Sequence, residues 1–512
     1  MAAMRLGIDF GTTHTVAAVV DRGNYPVVAY ESFDAMPSIA AVRAADGALR
    51  YGQEAAAVAQ DAGWTVLRSF KRLLADAGPL TRVEAGGRSI LLSDLLAGYF
   101  AHLRAEIVAR SNAGARPGEP LEVAVSVPAN ASNDQRFLTL DAFRRAGFEV
   151  LALLNEPSAA GFEYAHRFRG TVTSKREYVL VYDLGGGTFD CSLIHMAGQV
   201  NEVLTSAGEP RLGGDDFDEA ICALAFARAR KKKVAPRELA QVLEECRLQK
   251  EAIGPNSRRI VLDHPALGPE PLVLPVDAVY AACAPVVERT LAALDEVMRD
   301  PRREQDAVGW NELAGLYVVG GASSFPLVYR HLRERFGQGR VRRSPHPFAA
   351  TAIGLATFLD EEAGYELSDA LTRHFGVWRE GDMGREVSFD AIFAKDTRLP
   401  RLDEPPLLAV RRYRPAHNLG HYRFVECGKL REGRPDGNLA PWDEIRFPFD
   451  PALRERGDLA SVSVQRLERP GPEIEERYRC TSAGTFEVTL AVLDDGFERT
   501  YRIARPAHAN GN

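Results

Sequence analysis

Two segments of the chain combine residue types that suit one kind of ligand. Gly7–Thr15 reads GIDFGTTHT and Val181–Asp190 reads VYDLGGGTFD. In each, an apolar run ends in an aspartate, Asp9 or Asp183, and opens into a turn of glycine and threonine. The turns hold Gly11, Thr12 and Thr13 in the first, and Gly185, Gly186, Gly187 and Thr188 in the second. A triphosphate needs many donors close to its oxygens. Glycines let backbone N–H groups approach it, and threonine hydroxyls add further donors. Hydrogen bonds to a charged group contribute about 1.5–3 kcal/mol each. Asp9, Asp183 and Asp190 would repel phosphate, so their fitting role is to hold Mg²⁺ through its water shell. No G-x-x-x-x-G-K-[ST] loop occurs in the chain.

The elements that must position these turns repeat. Met4–Val20 and Tyr178–Met196 each read as strand, turn and second strand, which implies a duplicated α/β core with a site between its halves. Each half adds a strand followed by a helix. Leu121–Val127 reads as a strand ending at Pro128, and Asn133–Ala146 as an amphipathic helix stopped by Gly147. Leu316–Val319 reads as a strand running into Gly320 and Gly321, with a helix starting at Pro326. Spacing predicts further helices near 240–253 and 276–299. After about residue 360 the pattern changes to short β-like runs: Leu407–Tyr413, His421–Glu426, Ser461–Leu467, Arg477–Thr481, Thr485–Leu493 and Phe497–Ile503. Asp494-Asp495-Gly496 reads as a hairpin turn. The expected division is an α/β nucleotide-binding domain over 1–360, a linker over 361–370, an all-β sandwich-like domain over 371–506 and a disordered tail over 507–512.

Composition narrows the classes. The 512 residues are 46% hydrophobic and 26% charged, with a formal net charge of −7. That balance argues against a nucleic-acid binder with a broad basic surface. The densest basic cluster, Arg228, Arg230 and Lys231–Lys233, reads as a solvated helix end. The first residues lack a secretory pattern, and no apolar run is long enough for a membrane span. The six cysteines form no C-x-x-C pair and read as buried packing in a reducing compartment, so a cytoplasmic location is expected.

The two Gly/Thr segments resemble the phosphate segments of the 70-kDa heat-shock (DnaK-type) chaperones. Five further segments resemble that family in the same order: SFKRLL (Ser69–Leu74), VAVSVPANASNDQR (Val123–Arg136), LLNEPSAAGFEYA (Leu153–Ala165), LGGDDFD (Leu212–Asp218) and VVGGASSFP (Val318–Pro326). The resemblance implies an actin-like ATPase fold that hydrolyses ATP to ADP slowly under conformational control. It implies that Lys71 contacts the γ-phosphate and positions water, and that Asp9, Glu156, Asp183 and Asp190 arrange Mg²⁺, K⁺ and water. Thr12, Thr13 and Thr188 would hold phosphate oxygens. Gly213, Gly214 and Lys250 fall in the matched nucleotide segments, and Gly320 and Gly321 would lie against ribose and α-phosphate. Pro128 and Arg136 match the pair that relays nucleotide state between domains.

The sequence also departs from that family. Where its adenine clamp has Glu-x-x-Lys-Arg-x-x-Ser, this chain has Arg247, Lys250, Glu251 and Gly254. Ser324 stands for an expected arginine and Phe348 for an expected aspartate, which implies loosened base selectivity. Ala152 stands where an arginine used for J-domain docking is expected, so a J-domain co-chaperone is an uncertain partner. IFAKDTRLP (Ile392–Pro400) and Arg477–Ile503 resemble the family's peptide-binding sandwich, and no counterpart of its helical lid follows. The expected partner is an unfolded or extended polypeptide, held by backbone hydrogen bonds and one apolar pocket. No nucleic acid or membrane partner is expected. The alternatives are a sugar-type small-molecule kinase of the actin-like superfamily and a filament protein.

Overall fold

The computed structural model describes residues 3–502 except Ser32, Gln60, Pro79, 231–234, 299–307, 382–384, Leu402, Asp403 and Asp443. Lys231–Lys233 of the basic cluster and the expected tail therefore lie outside the described residues. The chain divides into two compact units. The first holds Met1–Leu73, Ala101–Ala129 and Gly147–Leu367; the second holds Leu74–Phe100, Asn130–Ala146 and Ser368–Asn512.

The first unit is built on two sheets with the same arrangement. In one, Met4–Phe10 lies between an antiparallel neighbour, His14–Val19, and a parallel neighbour, Leu121–Val127. Glu149–Asn155 and Met36–Pro37 form the edges. In the other, Tyr178–Leu184 lies between antiparallel Phe189–Ala197 and parallel Leu313–Val319. Val341–Arg343 flanks one side, and Val200–Glu209 and Glu366–Ser368 flank the other. The central strands are near-continuous apolar runs, as parallel strands covered on both faces must be. Tyr178–Leu184 and Leu313–Val319 are buried at every position. The strand Glu366–Ser368 falls inside the stretch read as a linker; its Glu366 N–H donates to the Gln199 carbonyl at 3.0 Å.

Most element boundaries follow the sequence pattern. Leu121–Val127 is a strand, and helices run over Asn133–Arg145, Pro236–Glu251, Val276–Val297 and Pro326–Phe336. The Asn133 helix starts where Ser132 accepts the Gln135 N–H, and Gly147 takes φ +85° just beyond its end.

The second unit carries two four-stranded sheets. One has the order Glu386–Phe393, His374–Gly381, Phe424–Arg431, Arg434–Pro441; the other has Leu407–Tyr413, Ile474–Cys480, Phe486–Val492, Glu498–Arg502. Aromatic side chains fill much of their shared core, with Phe375 stacked on Phe486 at 4.4 Å and next to Trp442 at 4.7 Å. Part of the interior is ionic. Arg379 donates to Glu476 at 2.6 and 2.7 Å and to Asp390 at 3.1 Å, and Arg411 donates to the other Asp390 oxygen at 3.0 Å. An ionic network thus stands between the sheets beside this aromatic core.

Two strand expectations are corrected. His421–Glu426 is split: Leu419–Tyr422 pairs with Ile445–Pro448, while Phe424–Arg431 joins the first sheet. Ser461–Leu467 forms no strand. Its start is held by Asp458, which accepts from Ala460 N–H, and Gln465 N–H donates to the Asn418 side chain instead of a ladder. One isolated bridge, His417 to Arg466, is what remains of pairing there. Among the described residues all six cysteines are buried and none is in a disulfide, and no helix is long and apolar enough to cross a membrane.

Candidate functional site

The two turns close in the same way. Gly11 N–H donates to the His14 carbonyl at 3.1 Å, and Gly185 N–H donates to the Thr188 carbonyl at 3.0 Å. Each turn begins two residues after its aspartate, so the repeat read from sequence extends to individual backbone bonds. The turns face each other closely. A Cβ added to Gly186 would lie 2.6 Å from Thr13, and one added to Gly187 would lie 2.6 Å from Thr12. Between and beside them is a cavity of about 440 Å³, within the size range of small-molecule sites.

Most of the expected site residues line this cavity: Asp9, Gly11, Thr12, Thr13, Lys71, Glu156, Asp183, Gly185, Gly186, Thr188, Gly214, Lys250, Gly320 and Gly321. Gly320 has φ +83°, and a Cβ there would meet the Leu184 carbonyl at 2.3 Å and an Asp183 oxygen at 2.4 Å. Only glycine fits that approach. Gly187 and Gly213 are not among the lining residues and pack against each other, a Cβ on Gly213 falling 2.6 Å from the Gly187 nitrogen. Gly213 N–H donates to Asp216, and Gly214 and Asp215 N–H groups donate to the Gly185 and Gly186 carbonyls at 3.0 and 2.7 Å. Asp190 is not among the lining residues. One of its carboxylate oxygens accepts the Ala129 N–H at 2.8 Å, next to Pro128.

The charge balance of the cavity floor is unusual. Lys71 donates to Glu156 at 2.6 Å, with both side chains almost wholly buried. Glu156 occupies the first turn of the helix Glu156–Phe168, directly after the strand Glu149–Asn155. Burial alone would depress the Lys71 ammonium, but Glu156 and Asp9 outweigh it and hold its pKa up. Ser126 donates to Asp9 at 2.7 Å. Burial, then the Glu156 charge, pushes Asp9 up to about 6. Burial and the charges of Glu156, Asp9 and Asp190 push Asp183 well above the usual carboxylate range. One buried ammonium among these carboxylates leaves an excess of negative charge that a cation would relieve. Among the described residues no group of three or more His, Cys, Asp or Glu side chains converges closely enough to ligate a metal directly. Asp9 and Asp183 both line the cavity, and a carboxylate or two with water between is the donor set that a hydrated Mg²⁺ takes.

Two residues beside Lys71 were missed in the sequence. Arg72 donates to the Gly187 carbonyl at 3.0 Å and to Asp216 at 2.9 Å. Ser69, at φ +50°, donates to Asp215 at 3.0 Å. Together they clamp the lysine segment onto the second turn and the start of the Gly214–Arg228 helix. Nothing in the spacing of SFKRLL marks either one, because their partners are over 100 residues away in the chain. Lys250 is committed within the protein, 2.7 Å from Asp218 and 2.8 Å from the Gly214 carbonyl. Burial raises Asp218 to about 7 despite Lys250.

Arg136 belongs to the second unit and is not among the residues that line the cavity. It is buried and donates to the Ala483 carbonyl at 3.0 Å, between two strands of the β-rich part. The same helix start receives a carboxylate: Asn133 N–H donates to Glu426 at 2.8 Å, and the Asn133 side chain accepts the Phe486 N–H at 2.8 Å. A carboxylate at a helix N-terminus is stabilised by the helix dipole. Asn133 and Glu426 are further residues that the sequence did not single out.

A family model described as Hsp70 protein matches residues 103–366. The chain belongs to the Hsp70 family. Its similar Hsp70 relatives include proteins named chaperone protein HscA homolog. The one from Azoarcus sp. (strain BH72) is 33% identical over 380 residues, covering 72% of this chain and 59% of its own. The one from Laribacter hongkongensis is 31% identical over 383 residues, covering 72% and 60%. The one from Burkholderia lata is 32% identical over 408 residues, covering 75% and 64%. The chain thus spans about three fifths of the length of the Hsp70 relatives it matches.

Proposed function

We propose that this Hsp70-family chain is an ATP-dependent chaperone: it hydrolyses ATP to ADP and uses the step to regulate polypeptide binding. In this reading the duplicated sheets form a two-lobed actin-like ATPase domain over residues 1–360, followed by a linker over 361–370 and a substrate-binding β domain over 371–506. One observation carries the reading. Two equivalent Gly–Thr turns close onto a cavity whose floor holds the buried Lys71–Glu156 pair and an excess of carboxylate.

Catalysis of phosphoryl transfer to water rests on positioning and charge neutralisation. Backbone N–H groups of Gly11 and Gly185–Gly187, with the Thr12, Thr13 and Thr188 hydroxyls, would bind the phosphates. Lys71 would place its charge on the γ-phosphate and orient water, while Glu156 and Asp183 order the solvent around it. Gly213, Gly214, Gly320 and Gly321 would let the backbone lie against the nucleotide, and Lys250 would brace that wall through Asp218. Asp9, Asp183 and Asp190 would hold Mg²⁺ through water, and K⁺ is a second candidate ion. Bound Mg²⁺ supplies neutralisation of the phosphate charge. Asp190, bonded to Ala129 beside Pro128, would link the site to Arg136 and its β-strand contact.

The substrate would be an extended polypeptide, with a J-domain co-chaperone as a further candidate partner and the cytoplasm as the location. A sugar-type kinase is disfavoured by the match to the Hsp70 family. Release of phosphate from Mg-ATP without any acceptor tests the ATPase. ATP consumption only in the presence of a small hydroxyl-bearing acceptor would support the kinase instead.

A further inference from the structure

We propose that the base of the nucleotide stacks on Phe348, so that this end of the cavity holds a purine by its face instead of reading its edge. The inference rests on the nucleotide reading of the cavity and adds to it the residue that sets base affinity.

Phe348 is 47% exposed. Among the described residues every other Phe, Trp and Tyr is buried or half-buried. The ring lines the same cavity as the Gly–Thr turns, and it also borders a smaller hollow of about 270 Å³ with Tyr25 and His346. An aromatic side chain left open beside a ligand cavity is apolar area that a planar partner can cover. Its cavity neighbours are poorly suited to reading adenine by its edge. Lys250 is occupied by Asp218 and Gly214. Arg247 is held by Glu244 at 2.5 Å. Ser324, which lines the cavity, is occupied as an acceptor by the Arg343 guanidinium. Stacking depends little on base identity, because every base has a π-face.

The test uses the full chain and three probes: ATP, GTP and inorganic tripolyphosphate, titrated calorimetrically with Mg²⁺ present. Phe348→Ala should weaken ATP and GTP by about 5- to 150-fold, the range of alanine substitutions at base-stacking aromatics. It should leave tripolyphosphate unchanged, and Phe348→Trp should restore nucleotide affinity. Because the side chain is exposed, the thermal midpoint should not move. ATP affinity within twofold of wild type for Phe348→Ala would overturn the proposal while leaving the nucleotide site intact. An equal loss for tripolyphosphate would also overturn it, since the effect would then not be on the base. Failure of the wild type to bind ATP or tripolyphosphate would instead overturn the nucleotide reading itself.

Discussion

The Lys71 ammonium lies 2.6 Å from a Glu156 oxygen, with 4% and 7% of the two side chains exposed. A buried pair of this kind contributes little net stability, because desolvation offsets the attraction. Its worth in the proposed mechanism is that it holds a cation, already stripped of water, at the floor of the phosphate cavity. Lys71→Ala and Thr188→Ala should therefore lower single-turnover hydrolysis by about 100-fold, the scale seen when one preorganised donor is removed, and affect ATP affinity far less. Rapid-quench measurements alongside equilibrium titration separate the two. Unchanged single-turnover rates in both variants would remove these residues from the site.

Asp218 gives a pH signature. Burial raises its folded-state pKa to about 7, above the ordinary 3.8. An acid raised in this way binds its proton more tightly when folded, so its contribution to stability falls as pH rises from about 4 through 7. Asp218→Asn removes that dependence. In urea melts the stability of Asp218→Asn relative to wild type should improve between pH 5 and pH 8, by at most about 3 kcal/mol, at 1.36 kcal/mol for each of the roughly two units between pH 5 and the folded-state pKa. A relative stability that does not change with pH would show that Lys250 keeps Asp218 ionised throughout.

The Arg136 helix offers a test of coupling. Its start is bonded to Glu426 and Phe486, and Arg136 to Ala483, all in the unit that contains the β-rich part. Pro128→Gly and Arg136→Ala should leave basal hydrolysis within a few-fold of wild type and blunt the effect of ATP on peptide release. Stopped-flow fluorescence of a labelled apolar peptide, with and without ATP, reads this directly. A full ATP effect in both variants would contradict the relay.

In the second unit Arg379 is paired with Glu476, whose side chain is fully buried. Glu476→Ala leaves that guanidinium without its main partner and should destabilise this unit by about 3–5 kcal/mol. The double variant Arg379→Met, Glu476→Leu should recover most of the loss. Denaturant unfolding followed by Trp fluorescence would show it. A single variant as stable as wild type would mean that Asp390 suffices for Arg379.

What could be read in the sequence was what local pattern controls. The hairpins ending in Asp9 and Asp183 announce themselves through apolar runs and glycine turns, and Leu121–Val127 and the Asn133 helix through periodicity and capping. The hairpin Phe486–Arg502 follows from its Asp-Asp-Gly turn, where Gly496 takes φ +75°. Ser461–Leu467 alternates like a strand, yet it finds no continuous partner, and pairing is not a local property. His374–Gly381 is the reverse case. It is a central strand of its sheet, but Arg379 and Glu380 break its apolar pattern because Arg379 is neutralised across the sandwich. Ser69, Arg72, Asn133 and Glu426 were invisible for the same reason: each matters through a partner distant in the chain. Asp190 was placed with the metal candidates by its motif, and its bond to Ala129 came only with the fold.

The most direct measurement is phosphate release from Mg-ATP by the whole chain, with no acceptor added, for wild type and Lys71→Ala. The account predicts slow, steady release by wild type that depends on Mg²⁺ and falls by about 100-fold in the variant. No release by wild type, or equal release by both proteins, would contradict it.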